Sequence, residues 1–189
     1  MNTRRNLGRF AVGALAAAAT VAAVPAAAPA ATAAPYCNLM WGSLAKAGGT
    51  YTSGTLANVR SGRHACFDRL VLDVDDVPGR LGHHVRYVST VRMDGSGTAV
   101  PLRGGADLRV ILKAPAYDNH GRPTYRPASR TNLVDVSGYR TFRQVAWAGS
   151  FEGQTTIGLG VRARLPFRTF VLDGPGDGAR LVVDVAHRW

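Results

Sequence analysis

The chain has 189 residues and a formal charge of +11, and 46% of its residues are hydrophobic, enough apolar material for one packed domain. Only Lys46 and Lys113 among the basic residues are lysines; the rest are arginines. The charge invites a nucleic-acid reading, but no recognition helix and no aromatic-interleaved RNA-binding strand accompanies it, and that class is set aside.

Residues 1–33 read as an export signal. Arg4, Arg5 and Arg9 precede an apolar, alanine-rich run from Phe10 to Val24, and Ala31-Thr32-Ala33 offers a cleavage site. The run falls short of the roughly 20 apolar residues that a membrane span needs, so no membrane span is expected. The opening Thr3-Arg4-Arg5-Asn6-Leu7 leaves both the general secretory and the twin-arginine routes open. Lipid attachment at Cys37 is disfavoured, because Tyr36 stands where a lipobox wants a small residue. Removing the signal takes away three arginines and no acid, which lowers the formal charge to +8.

Residues 34–54 read as an irregular arm, poor in periodicity and pinned by Cys37. Cys37 and Cys66 are the only cysteines, and an even count after export favours a disulfide over two free thiols. Residues 55–189 carry short β-type runs parted by Gly, Pro and Asp clusters. Alternation marks strands at Phe67–Val74, Val85–Val91, Leu108–Leu112, Phe142–Ala148, Thr155–Ala163, Phe167–Leu172 and Leu181–Val185. The expected fold is all-β, an antiparallel β-sandwich of about seven or eight strands. From Ile157 to Arg168 the odd positions are apolar and the even ones read Gly158, Gly160, Arg162, Arg164, Pro166, Arg168. That pattern predicts one buried face and one arginine-bearing face. The connection from Pro115 to Ser137 is longer than a hairpin loop, and loops of that length tend to be functional.

A family likeness enters through particular residues. Leu165-Pro166-Phe167-Arg168, Gly174-Pro175 and Arg180-Leu181-Val182-Val183-Asp184-Val185 resemble the end of the AMIN and AMIN-like domains of bacterial envelope proteins. Gly62 to Val71 and Phe151-Glu152-Gly153 are similar to AMIN-like proteins secreted by actinobacteria. The likeness spans about Thr55 to Val185. It implies a β-sandwich, an exported protein, and a non-catalytic domain that localises to or binds the cell wall.

His64, Cys66 and Asp68 would share a strand face and have the composition of a hydrolytic site, but a disulfide-bonded Cys66 removes the nucleophile. His64, His83, His84, His120 and His187 lack the paired spacing of a zinc site, so no metal and no cofactor is expected. Glycoside hydrolysis needs two carboxylates across a cleft. Glu152 is the only glutamate and reads as the structural partner of Arg143 or Arg168; Asp68 and Asp184 read as partners of neighbouring arginines such as Arg69 or Arg180.

The functional expectation is therefore a secreted, non-catalytic envelope protein that binds peptidoglycan or another anionic wall polymer. Arg162, Arg164 and Arg168 are the expected contact row, spaced about 6.7 Å apart where they alternate on a strand, with Trp147 or Tyr139 as sugar-stacking neighbours. The alternatives are a module that binds another envelope protein through the Pro115 to Ser137 loop, and a hydrolase centred on His64 and Asp68.

Overall fold

A computed structural model describes residues 36–189; the export segment read in residues 1–33 lies outside them. The described chain forms a single 3-10 turn at Tyr36–Asn38 and eleven strands. They are β1 (Lys46–Gly48), β2 (Thr55–Arg63), β3 (Phe67–Asp75), β4 (His83–Val88), β5 (Val91–Arg92), β6 (Ala99–Val100), β7 (Ala106–Leu112), β8 (Phe142–Phe151), β9 (Gln154–Val161), β10 (Phe167–Asp173) and β11 (Ala179–Ala186). Nine of them build the sandwich, in sheets ordered β1-β4-β7-β9-β8 and β10-β11-β3-β2, while β5 and β6 form a separate ribbon. Every pairing is antiparallel. The all-β sandwich expected from the alternation is present, with more strands than the seven or eight expected.

Period-2 alternation places the core. Leu70, Leu72 and Val74 of β3 and Leu181, Val183 and Val185 of β11 face Leu108, Val110 and Leu112 of β7 and Ile157, Leu159 and Val161 of β9, all buried. Each such side chain contributes about 1.5–3 kcal/mol by leaving water.

Two strands depart from the sequence expectation. β2 does not stand out in the sequence, because the register skips a residue between Leu56 and Asn58 and the bulge interrupts its alternation. β9 ends at Val161, so Arg162 and Arg164 fall in the turn before β10 and the arginines do not line one strand face. The even positions of β9 are buried as well. A Cβ at Gly158 would stand 3.1 Å from Leu102 Cδ1 and 3.3 Å from Val91 Cγ1, so the segment carrying β5 and β6 lies flat on the bare glycine backbone. Arg103 N donates to Gln144 Oε1 at 2.8 Å and fixes that segment in place.

The two sides of the sandwich are closed differently. The long connection after β7 seals the side formed by β2 and β8: Leu56 N donates to Pro115 O, Trp147 N to Arg130 O, and Leu133 N to Val145 O, at 2.7–2.8 Å. The Pro115 to Ser137 connection thus covers both of these edges. On the opposite side, His83 of β4 reaches across to β10, its Nε2 lying 2.9 Å from Thr169 Oγ1.

Two outcomes follow from these contacts. In Gly160→Ala the new methyl would run into the Arg103 carbonyl, so chemical denaturation is expected to show a loss of about 1–3 kcal/mol. His83 is held below its ordinary value of 6.5 by burial, then by Lys113 and His84. The unfolded chain therefore takes the proton first, so stability is full above about pH 6.5 and falls as the pH drops below it. The urea midpoint should be lower at pH 5.5 than at pH 7.5, with a shallower decline in His83→Gln; parallel declines would remove His83 from the account.

Candidate functional site

The outer face of the four-stranded sheet carries the candidate site. Register sets Arg168 of β10 opposite Asp184 of β11, and Asp184 opposite Arg69 of β3. Residues directly opposite share a face, so three charged side chains meet in one row. Arg69 Nε and Nη2 donate to Asp184 Oδ1 and Oδ2 at 2.6 and 2.8 Å, and Arg168 Nε donates to Oδ2 at 2.9 Å. The Asp184 side chain has no exposure, Arg69 has 25% and Arg168 has 41%. The hydrogen bonds that Arg69 donates to Asp184 hold the arginine above its ordinary value, against the opposing effect of burial.

Aromatic rings bracket the two guanidinium groups. Arg168 Cζ lies 4.5 Å from the Trp41 centroid and 5.0 Å from that of Phe170, and Arg69 Cζ lies 5.3 Å from the Phe67 ring. Such contacts stabilise by about 0.5–1 kcal/mol each where exposed. Trp41 comes from the arm, which the disulfide between Cys37 and Cys66 ties to the residue just before β3. The arm is less irregular than its composition implies: β1 adds it to the edge of the five-stranded sheet beside β4. Phe167 N also donates to Gly42 O at 3.1 Å.

The triad has two positive charges against one negative. Among the described residues, neither terminal nitrogen of Arg168 makes a hydrogen bond within the protein, nor does Nη1 of Arg69. These nitrogens carry six N–H bonds, and on guanidinium groups anchored by a buried carboxylate they suit a carboxylate or phosphate oxygen pair.

The other residues singled out in the sequence scatter around this point. Arg164, exposed in the turn before β10, reaches Ser43 of the arm and lies over the Tyr87 ring at 5.2 Å. Arg162 donates to the carbonyl of His187. Trp147 is paired in register with core-facing Ile157, so it turns to the core side of β8 and packs against Tyr125 with centroids 5.7 Å apart. Tyr139 hydrogen-bonds Ser61 Oγ at 3.0 Å and stacks on Phe142. Neither ring stands with Arg168.

Glu152 has φ 48° in the β8–β9 turn and makes no ion pair among the described residues, contrary to the expected arginine partnership. Arg143 instead donates to the carbonyls of Tyr139, Arg140 and Phe142. Asp184 pairs with Arg69 as expected, whereas Asp68 takes His187 at 3.2 Å and the backbone N–H groups of Thr141 and Phe142. His64 stacks on Phe67 at 4.5 Å and Cys66 is in the disulfide, so the trio of His64, Cys66 and Asp68 does not converge. The sequence reading expected the pairing of Asp184 with an arginine such as Arg69 but left Arg69, Asp184 and Trp41 out of the contact row. Asp184 had a signal there, since it interrupts the apolar run Leu181 to Val185.

The model of the AMIN-like domain family matches residues 54–187. No curated protein and no solved structure matches the chain.

Removing Asp184 would leave two guanidinium groups beside each other without their anion. Asp184→Ala is expected to cost about 3 kcal/mol in denaturant unfolding. A loss under about 1 kcal/mol would mean that the arginines relax freely into solvent.

Proposed function

The chain belongs to the AMIN-like domain family, and on that premise we propose that it is an exported, non-catalytic module that binds an anionic cell-wall polymer through Arg168 and Arg69. The likeness to a family of envelope-associated binding domains supports the location, and a disulfide between Cys37 and Cys66 accords with an oxidising compartment. The observation that carries the ligand chemistry is the buried Asp184, which fixes two guanidinium groups while leaving N–H donors of Arg168 directed to solvent.

A carboxylate of a peptidoglycan stem peptide and a phosphate of a teichoic-type polymer both fit a guanidinium fork. Trp41 and Phe170 beside Arg168 provide apolar planes on which a sugar ring can rest. Arg164, in the turn before β10, reaches Ser43 of the arm that presents Trp41, and with Arg162 it supplies flanking charge there.

The test is co-sedimentation with purified cell wall, intact or stripped of phosphate polymers, at low and raised salt. Binding should weaken as salt rises, because exposed charges are screened within about 8–10 Å at physiological ionic strength. Arg168→Ala should lose about tenfold or more in affinity, the size of a charge-assisted hydrogen bond. Arg92→Ala, on the β5–β6 ribbon, should bind as the parent does. Absence of the protein from the wall pellet at low salt overturns the function, and an unaltered Arg168→Ala overturns the site.

A further inference from the structure

The two sheets end in edges that the fold treats unequally, and one of them is left open. On the β2 and β8 side the long connection hydrogen-bonds to both edge strands. On the other side β1 and β10 face each other across a groove of about 850 Å³. Its walls are Ala45 to Gly49 from the β1 region and Thr169 to Val171 with Asp173 from β10, and Arg80, Leu81 and His83 complete the lining.

Backbone polarity along β10 follows from two hydrogen bonds. Phe167 N turns away from β11 to meet Gly42 O, whereas Gly174 N turns toward the β11 side to meet Gly178 O. Polar groups alternate in direction along an antiparallel strand. Thr169, Val171 and Asp173 therefore point their N–H and C=O groups away from β11, into the groove. Among the described residues no backbone partner meets them; Asp173 O alone accepts a side-chain donor, from Arg180 at 3.2 Å. A row of unpaired strand groups beside an open groove is a template for another strand.

The groove also holds a polar atom with no partner. His83 is buried at 7% exposure; its Nε2 is satisfied by Thr169, but its Nδ1 has no hydrogen bond. Among the formal charges of the lining, Lys46 and Arg80 stand against Asp173 alone. The Lys46 ammonium lies over the Phe167 ring at 4.5 Å, at the end where arm and β10 close together. The groove opens from there toward Asp173.

We propose that the open edge of β10 binds an extended, acidic polypeptide segment that adds one strand to the four-stranded sheet beside Thr169 and Val171. Main-chain hydrogen bonds supply the affinity, and Arg80, with Lys46, whose ammonium also donates to Gly42 O and Leu44 O at 3.3 Å, selects carboxylate side chains on the groove side. The occupant is a protein chain, since the groups on offer repeat at strand spacing, two residues apart. This surface uses backbone atoms of β10, so it stands whether or not the arginine triad binds wall polymer.

The experiment selects decapeptides from a random display library on the protein and then titrates the selected peptides into uniformly ¹⁵N-labelled protein. Acid-rich peptides are expected, with the Thr169 and Val171 amides slowed in hydrogen exchange on binding. Val171→Pro removes one outward N–H without touching a bond to β11, a position where an edge strand tolerates proline. It should weaken the selected peptides by about tenfold, the equivalent of one hydrogen bond, while Val171→Thr binds as the parent does. Melting of each variant checks that the fold is kept. The proposal is overturned if no peptide is enriched, if the slowed amides lie elsewhere, or if Val171→Pro binds unchanged. It is also overturned if analytical ultracentrifugation shows a second copy of the chain pairing along β10 in place of the peptide.

Discussion

Asp184 holds a carboxylate at zero side-chain exposure on the outer face of a sheet, and it is tenable there because two arginines meet it. The register that brings them together is the one that turns Leu181, Val183 and Val185 of the same strand into the core. A slip of one residue would bury the charge between the sheets and expose the leucine and valines. Core packing and surface charge thus specify the same pairing of β10, β11 and β3, and neither can change without the other. That coupling makes the arginine pair a fixed feature of the fold, unlike the exposed Arg122 and Asp118 pair, which closes only its own loop.

Asymmetric closure is the second constraint. A sandwich has four sheet edges, and each exposes unpaired backbone groups unless something covers it. Here residues 113–141 cover β2 and β8 with hydrogen bonds from both sides, and the β5–β6 segment covers the outer face of β9. On the side away from β11, the backbone of β10 among the described residues meets only Gly42 O at its first residue and the Arg180 side chain at its last. The exposed arginine and the exposed backbone edge therefore belong to one strand, with side chains of even positions turned outward and main-chain groups of odd positions turned sideways.

Much of this was legible in the sequence wherever alternation was clean. Leu70-Val71-Leu72, Leu108 to Leu112 and Leu181 to Val185 read as strands and are strands. β2 was hidden because its bulge shifts the phase after Leu56, and a pattern search has no way to insert that residue. β9 misled for a different reason. Glycine at Gly158 and Gly160 looks like a solvent face in sequence, yet the lack of side chains is what lets Leu102 and Arg103 lie on the backbone. The site was partly legible: Arg168 was named for its phase, but its true neighbours, Arg69 and Asp184, come from strands about 100 and 16 residues away. Cross-strand partners follow from register, and register is not written in any one strand.

The arm links the site to the disulfide. Residues 54–187 match the family, and they include Arg69, Arg168 and Asp184 but not Trp41, Ser43 or Lys46. The Trp41 ring over Arg168 and one wall of the β10 groove therefore come from outside the matched residues. Their position depends on Cys37 and Cys66, which close a loop of 29 residues in separation, worth about 3 kcal/mol in the chain-entropy view. Without that tether the start of the arm would rest on the Phe167 to Gly42 hydrogen bond, the longer contacts of Arg164 with Ser43, and the three register pairs of β1. Oxidation of Cys37 and Cys66 thus does more than stabilise the domain: it sets Trp41 against the guanidinium group and completes a surface that the sandwich alone leaves half built.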